Sequence, residues 1–151
     1  MTHPIIETRK RLITLFQTQL KAAGFGEVDV FDWYNAAYAE TAAVVLGEAQ
    51  GDLERDRFST ATRVPFAESW SINVAVTLTT ESTVETDRAD YAMAVADVLV
   101  TALAKDPRLS AQPSLVICTA GSMSLSADVE NEGLVVEIQL IAEYRVDRSR
   151  V

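Results

Sequence analysis

The side chains that most often carry chemistry are few in this sequence. The single histidine, His3, stands at a terminus that we expect to fray, whereas a Ser–His–Asp arrangement needs that ring to be held rigid. The single cysteine, Cys118, lies in an apolar stretch with no candidate base beside it, which favours a buried structural thiol over a nucleophile. One Cys and one His also exclude an internal disulfide and a Cys–His zinc site.

Three carboxylates in the middle of the chain form the best candidate for a metal site. Asp52, Glu54 and Asp56 alternate, so they share one face if this segment is extended. Arg55 and Arg57 interleave them, which makes a cation site unfavourable. The glycines are scattered, and neither a dinucleotide-binding fingerprint nor a Walker loop is present. We therefore expect no metal, no cofactor and no enzymatic activity.

Composition and charge bound the class of protein. The 151 residues suit a single domain over residues 1–151, and the net charge is −9. Non-specific DNA binding needs clustered cations, so this balance argues against it. The longest apolar runs are far shorter than the ~18 residues of a membrane span, and charges interrupt the first apolar stretch, so we expect neither a membrane anchor nor a signal peptide. The expected compartment is a reducing cytoplasm.

Hydrophobic periodicity predicts two helices and five strands. A stripe that contains Ile6, Leu12, Ile13, Phe16, Leu20 and Ala23 predicts a helix over 4–23 that Gly24 and Gly26 end, and an Ala-rich pattern predicts a second over 86–105. The segment 50–67 is polar and predicts an extended arm or loop. The predicted strands are 27–33, 41–49, 68–80, 114–128 and 132–146. This order, with strands in antiparallel meanders, predicts an α+β two-layer sandwich with two main helices on a mostly antiparallel sheet.

Two of the predicted strands have one face that is small and uncharged, which is unusual for a surface in water. On strand 68–80 this face holds Ser71, Asn73, Ala75, Thr77 and Thr79; on strand 114–128 it holds Cys118, Ala120, Ser122, Ser124 and Ser126, with Gly121 as a candidate bulge. Either these faces contact other subunits, or a helix covers one of them within the monomer. The sequence leaves both alternatives open.

Charge is unevenly distributed along the chain. Basic residues gather near both ends, and we take Arg9, Lys10, Arg145 and Arg148 as a candidate charged assembly surface. The alternative is an ordinary solvated surface. Candidates for a subunit or tube interface come from the arm and from apolar positions off the main stripe of the second helix: Asp52, Glu54, Arg55, Arg57, Arg63, Met93 and Val100.

The order of elements carries a family resemblance. A basic amphipathic helix precedes "VDVFDWYNA", a polar arm leads into an alternating strand, the helix "DRADYAMAVADVLVTALAKDPRLS" follows, and a hairpin ends in "IAEYRV". In this pattern the chain resembles the tail terminator (tail completion, minor tail) proteins of long-tailed bacteriophages and gene transfer agents. The resemblance covers nearly the whole chain, with residues 87–110 its most recognisable part.

The resemblance implies a non-enzymatic virion protein at the head–tail junction, made in the host cytoplasm. Such a subunit forms a hexameric ring that caps the tail tube, ends tail polymerisation and offers a surface to the head–tail connector protein. DNA passes through the lumen without specific binding. One alternative is another head–tail joining protein, such as a head completion or stopper subunit, which is typically more barrel-like and lacks paired long helices. A second is a small ligand-binding or enzymatic α+β domain.

Overall fold

A computed structural model describes residues 3–33, 42–55, 65–78, 85–128 and 133–147. The two helices are α1 (Pro4–Ala22) and α2 (Glu85–Lys105). The strands are β1 (Asp29–Asp32), β2 (Ala42–Arg55), β3 (Pro65–Leu78), β4 (Leu115–Asp128) and β5 (Gly133–Asp147). All seven elements lie where the periodicity predicts them, although β2 is longer than expected.

The strands form one sheet in the order β1-β2-β3-β5-β4. All neighbours are antiparallel except β1 and β2, which are parallel. Both helices pack on the same face of the sheet and against each other. The α+β fold with helices on a mostly antiparallel sheet is therefore confirmed.

The segment 50–67 is partly strand. Residues 50–55 continue β2 and pair with residues 66–71 of β3, so the hairpin extends well beyond the short strand predicted at 41–49. Residues 56–64 lie outside the described part of the chain.

Both ends of helix α1 are stabilised by capping interactions that its sequence encodes. His3 Nδ1 accepts a hydrogen bond from the backbone N–H of Ile5 at 3.0 Å, and Pro4 occupies the first turn. At the other end Gly24 adopts φ +89°, and its N–H donates to the carbonyl of Lys21. The N–H of Phe25 donates to the carbonyl of Leu20 at 2.8 Å, which completes a Schellman motif.

The buried stripe of α1 differs from the predicted one by about one residue at its start. Ile5, Thr8 and Arg9 are buried together with Leu12, whereas Ile6 is 41% exposed. The steps 5–9–12–16–20 follow three- and four-residue spacing as well as the predicted set does, so apolarity alone misassigned the first turn. The core beneath both helices includes Leu12, Phe16, Leu20, Val44, Leu46, Ile72, Val74, Val76, Val95, Leu99, Leu103, Ile138 and Leu140.

Two irregularities in β4 change which residues share a face. The pairing of β4 with β5 shifts between Leu115 and Ile117, and again between Ala120 and Ser122, which confirms a bulge at Gly121. A Cβ at Gly121 would lie 3.0 Å from the Ile141 side chain, which would have to shift by a few tenths of an ångström.

These bulges correct the predicted faces of β4. Cys118 pairs with buried Ala142 on the helix side and is itself fully buried, so its assignment to the small uncharged face was wrong, as was that of Ala120. Met123 and Leu125 follow them on the helix side. The first bulge adds one residue and inverts the alternation from Ile117 to Ala120, and the second bulge inverts it again, so the residues after Gly121 lie on their predicted sides.

Candidate assembly surfaces

The face of the sheet opposite the helices is open: no element of the described chain covers it. We call this the open face. It carries a shallow depression of about 380 Å³ that is lined by Glu48, Gln50, Ser71, Asn73, Ser122, Ser124, Glu137 and Gln139. Within the monomer, then, no described helix lies over the small uncharged side of β3. The alternative in which a helix covers it is wrong for the described residues.

The open face is polar and mainly acidic. Glu48, Asp52, Glu137 and Glu143 are exposed there, and Arg145 is the cation among the described side chains that lies beside them. Glu137, Glu143 and Arg145 of the last strand are all exposed on this side of the sheet. A nucleic acid next to this face would find few cations to replace its counterions.

One lateral border of the sheet is a long strand with no charged side chain over most of its length. Strand β4 carries no Asp, Glu, Lys, Arg or Pro from Leu115 to Ala127, and residues 119–127 are all exposed. We call residues 122–127, which follow the Gly121 bulge, the β4 edge. On its helix side Met123 is 43% exposed and Leu125 is 47% exposed. Natural sheets usually protect such borders with charges, prolines or short strands.

The opposite border also has an open stretch. Strand β1 pairs only with residues 43–46 of β2, so in the described part of the chain residues 49–55 pair on one side alone, with β3. We call residues 49–55 the β2 edge. Leu53 lies on its helix side, opposite buried Glu68, and is 60% exposed. Both borders thus present large apolar side chains on the same face of the sheet.

His3, the first described residue, is held in place, so the prediction that it frays was wrong. The Nε2 atom of His3 lies 3.3 Å from both carboxylate oxygens of Glu68, which is buried. The ring also packs against Trp70 and Tyr144, with centroids 5.3 and 6.3 Å away. Because β3 supplies this acidic partner from 65 residues away, the sequence around His3 gave no sign of it.

A polar cluster continues from this anchor into the core. The Thr8 and Tyr144 hydroxyls are 2.5 Å apart, and Thr8 Oγ1 is 3.0 Å from Oε1 of buried Gln112. The Gln112 amide donates to the carbonyl of Pro4 at 3.0 Å. Burial raises the pKa of Tyr144 well above its usual value. These bonds join the first turn of α1 to the segment after α2 and to β5.

The structure corrects the assignment of Arg9 to a charged assembly surface. Arg9 is 2% exposed, and its guanidinium donates to Asp32 Oδ1 at 2.7 Å and to the carbonyls of Gly47 and Leu46. Its guanidinium carbon also lies 3.9 Å from the centre of the Trp33 ring. Arg9 therefore fastens α1 to the end of β1 and to the middle of β2.

The other sequence-predicted residues do not form one site. Lys10 and Arg145 are exposed on different elements, and Asp52 lies on the open face. Met93 and Val100 are half-buried against the core of their own monomer. Glu54 and Arg55 belong to β2, but their side chains lie outside the described set, as do Arg57, Arg63 and Arg148 altogether. Their proposed interface roles stay predictions.

Neither the β4 edge nor the β2 edge was predicted from the sequence as an exposed border of the sheet. The absence of charge over 115–127 was visible in the sequence, but which strand borders the sheet depends on the strand order, and β5 inserts between β3 and β4. The exposure of Met123 and Leu125 depends in addition on how much of this side of the sheet the helices cover, which is also a long-range property.

Metal, membrane and nucleophile sites are the other kinds of site that the described residues could form. No three His, Cys, Asp or Glu side chains there are grouped as metal ligands would be. Neither described helix is both long and apolar enough to cross a bilayer. Burial raises the pKa of the Cys118 thiol to about 12, which keeps it protonated at neutral pH.

No protein-family model matches the chain, and no curated protein matches it. Among solved structures, a chain of the particle titled "Virion of native gene transfer agent (GTA) particle" is similar to this one, with 15% sequence identity and a TM-score of 0.47. The match covers 86% of this chain and 91% of that chain.

Proposed function

We propose that this chain is a structural subunit of a phage-like tail, and that it forms a ring which caps the tail tube and ends its polymerisation. The observation that carries the proposal is the pair of open borders on opposite sides of one sheet, the β4 edge and the β2 edge. The sequence pattern that resembles tail terminators supports the same role.

A ring places specific demands on its subunit. Cyclic assemblies of more than two copies use heterologous contacts, in which two different surfaces of the chain meet at every interface. The two borders differ in sequence and lie at opposite ends of the strand order. Their exposed apolar side chains, among them Leu53 and Met123, supply the kind of surface that a subunit buries on assembly.

The helices favour a terminator over the alternative stopper subunit. Helices α1 and α2 are 19 and 21 residues long and pack against each other on one face of an open sheet. A stopper is expected to be more barrel-like and to lack such a pair. The partners that follow from the proposal are the tail tube protein below the ring and the head–tail connector protein above it, at the head–tail junction of the virion.

The charge of the open face fits a passage for DNA. If the open face lines the lumen, its carboxylates repel the phosphate backbone and its uncharged side chains do not attract it. DNA then passes through without being bound. The net charge of −9 extends the same argument to the whole subunit. No sequence-specific contact to DNA is required for this role.

The experiment is to delete the gene in cells that produce the particle and to measure the tails by negative-stain electron microscopy. The proposal predicts tails of irregular, often excessive length that lack heads, and expression of the chain in trans should restore uniform, head-bearing particles. Uniform tails with heads in the deletion strain would refute the role. This test does not require the ring to form in solution.

A further inference from the structure

We infer that neighbouring copies of this chain join by strand pairing, with the β4 edge of one copy against the β2 edge of the next. The inference rests on the proposed function, since it names the contact from which the ring is built. The partner is thus a second copy of this chain, and the contact is one continuous sheet that crosses the subunit boundary.

The β4 edge has the properties of a strand that is meant to be paired. It is regular after the Gly121 bulge, and it carries only Ser, Met, Leu and Ala side chains from 122 to 127. An exposed border of this kind otherwise invites uncontrolled association. Met123 and Leu125 stand beside it with more than two fifths of their surface in water. A strand laid against this edge would satisfy its backbone groups and would bring its own side chains next to Met123 and Leu125.

The β2 edge matches the β4 edge in direction. Strands β2 and β3, β3 and β5, and β5 and β4 are each antiparallel, so β2 and β4 run in opposite directions. When a second copy lies beside the first with its helices on the same side of the sheet, its β2 runs in the same direction as the β2 of the first copy. Its β2 therefore meets β4 as an antiparallel strand, as the neighbouring pairs within the monomer do.

The β2 edge also matches the β4 edge in the side chains it offers. Leu53 lies on the helix side of β2, and Met123 and Leu125 lie on the helix side of β4. Once the strands pair, these three exposed apolar residues share one face of the joined sheet, next to the helix layer. Cross-strand apolar pairs of this type stabilise sheets.

Charge and symmetry favour this pairing over the two alternatives, in which two β2 edges or two β4 edges pair. Two β2 edges paired about Gln50 would set Glu48 of one copy against Asp52 of the other, and like charges directly opposite destabilise a sheet. Two β4 edges have no such conflict, but that contact is two-fold and closes at a dimer, so it leaves the β2 edges unpaired. Only the mixed pairing avoids repulsion and continues around a ring.

The test is disulfide crosslinking through the open face. Gln50→Cys or Asp52→Cys on β2 is combined in one chain with Ser122→Cys, Ser124→Cys or Ser126→Cys on β4, which gives six double variants that scan the register. Cys118 is buried and stays in place; the wild-type chain under the same oxidation is the control. The expected result is a ladder of covalent multimers in at least one double variant. The single variants should remain uncrosslinked, and a mixture of a β2 single with a β4 single should stop at dimers.

Other outcomes overturn the inference. Dimers from the Ser124→Cys single variant would show the two-fold β4 contact instead. A ring seen by light scattering without a ladder in any of the six variants would refute the edge pairing and leave the proposed function standing. A chain that stays monomeric and uncrosslinked up to about 1 mM would also refute it, and the deletion experiment then judges the proposed function separately.

A matched pair of substitutions gives a second readout. Ser124→Lys places a charge in the middle of the β4 edge, whereas Ser124→Thr keeps it neutral and strand-compatible. The lysine should raise the dissociation constant of the assembly about tenfold or more, and the threonine should leave it within about twofold. Both monomers should unfold as the wild type does, because Ser124 is exposed. Equal dissociation constants for the two variants would contradict the inference.

Discussion

Replacing Arg9 tests how the fold holds the borders of the sheet in place. The change is Arg9→Met, which keeps most of the apolar stem and removes the guanidinium. That group bonds the Asp32 carboxylate and the carbonyls of Gly47 and Leu46, so α1 loses its polar attachment to β1 and β2. Because β2 continues directly into the β2 edge, the substitution acts on the scaffold that positions this border.

The magnitude follows from what each partner keeps after the change. Removing one member of a buried ion pair typically costs about 3–5 kcal/mol. Asp32 is about one-third exposed, so water takes over part of the guanidinium's role, and the Leu46 carbonyl retains a bond from the Trp33 N–H at 2.8 Å. The Gly47 carbonyl loses its arginine donor. These considerations place the loss in unfolding free energy near the lower limit, at about 3 kcal/mol.

The assay is urea and thermal unfolding followed by circular dichroism at a concentration where the chain is monomeric. A loss of about 3 kcal/mol lowers the melting temperature by about 6–12 °C in a domain of this size and the urea midpoint by about 1.5 M. Lys10→Met is the control, because Lys10 is the exposed neighbour and its change should stay within about 0.5 kcal/mol. An Arg9→Met chain as stable as the control would refute the reasoning.

Three further predictions concern packing, pH and salt. Gly51→Ala should cost about 1–3 kcal/mol, because a Cβ there would lie 2.4 Å from the Trp70 ring, whereas Gly26→Ala, with only a side-chain atom at 4.0 Å, should cost much less; equal urea midpoints would be inconsistent with this packing. Since burial raises the pKa of Cys118 from 9.0 to about 12, its contribution to stability is complete below pH 9.0 and falls by about 1.4 kcal/mol per pH unit as pH rises between these values. Urea unfolding at pH about 8 and about 10 should therefore show a steeper loss for wild type than for Cys118→Ala, and parallel losses would contradict it. Salt screens repulsion between subunits of charge −9, so sedimentation should show the ring fraction unchanged or raised between about 0.05 and about 0.5 M NaCl, and dissociation in salt would point to an ion-paired interface instead.

The elements were predictable because each carries its own local signal. The helix α1 shows its Pro4 start, its Gly24 stop and an apolar stripe, and β3 alternates strictly from Trp70 to Leu78. Helix periods and strand periods depend on residues a few positions apart, which a single sequence displays directly. The class of the fold follows from the order of these elements.

The surfaces were less predictable because they depend on distant partners. Arg9 looks like a surface charge until Asp32 and the β2 carbonyls surround it, and His3 looks free until Glu68 reaches it from β3. The Gly121 bulge was predicted, but the earlier bulge between Leu115 and Ile117, which moves Cys118 and Ala120 to the helix side, was not, because strict alternation gives no sign of an inserted residue. The strand order, which makes β4 a border, is a long-range property that alternation does not encode.

The most direct test of the central claim, that this chain builds a closed ring, is the mass of the purified protein by light scattering across a wide concentration range. The account predicts a transition from the 16.5 kDa chain to a single larger species of about six times that mass, with no dimer accumulating between them. Only the 16.5 kDa species at every concentration, or a dimer as the final state, would contradict the account.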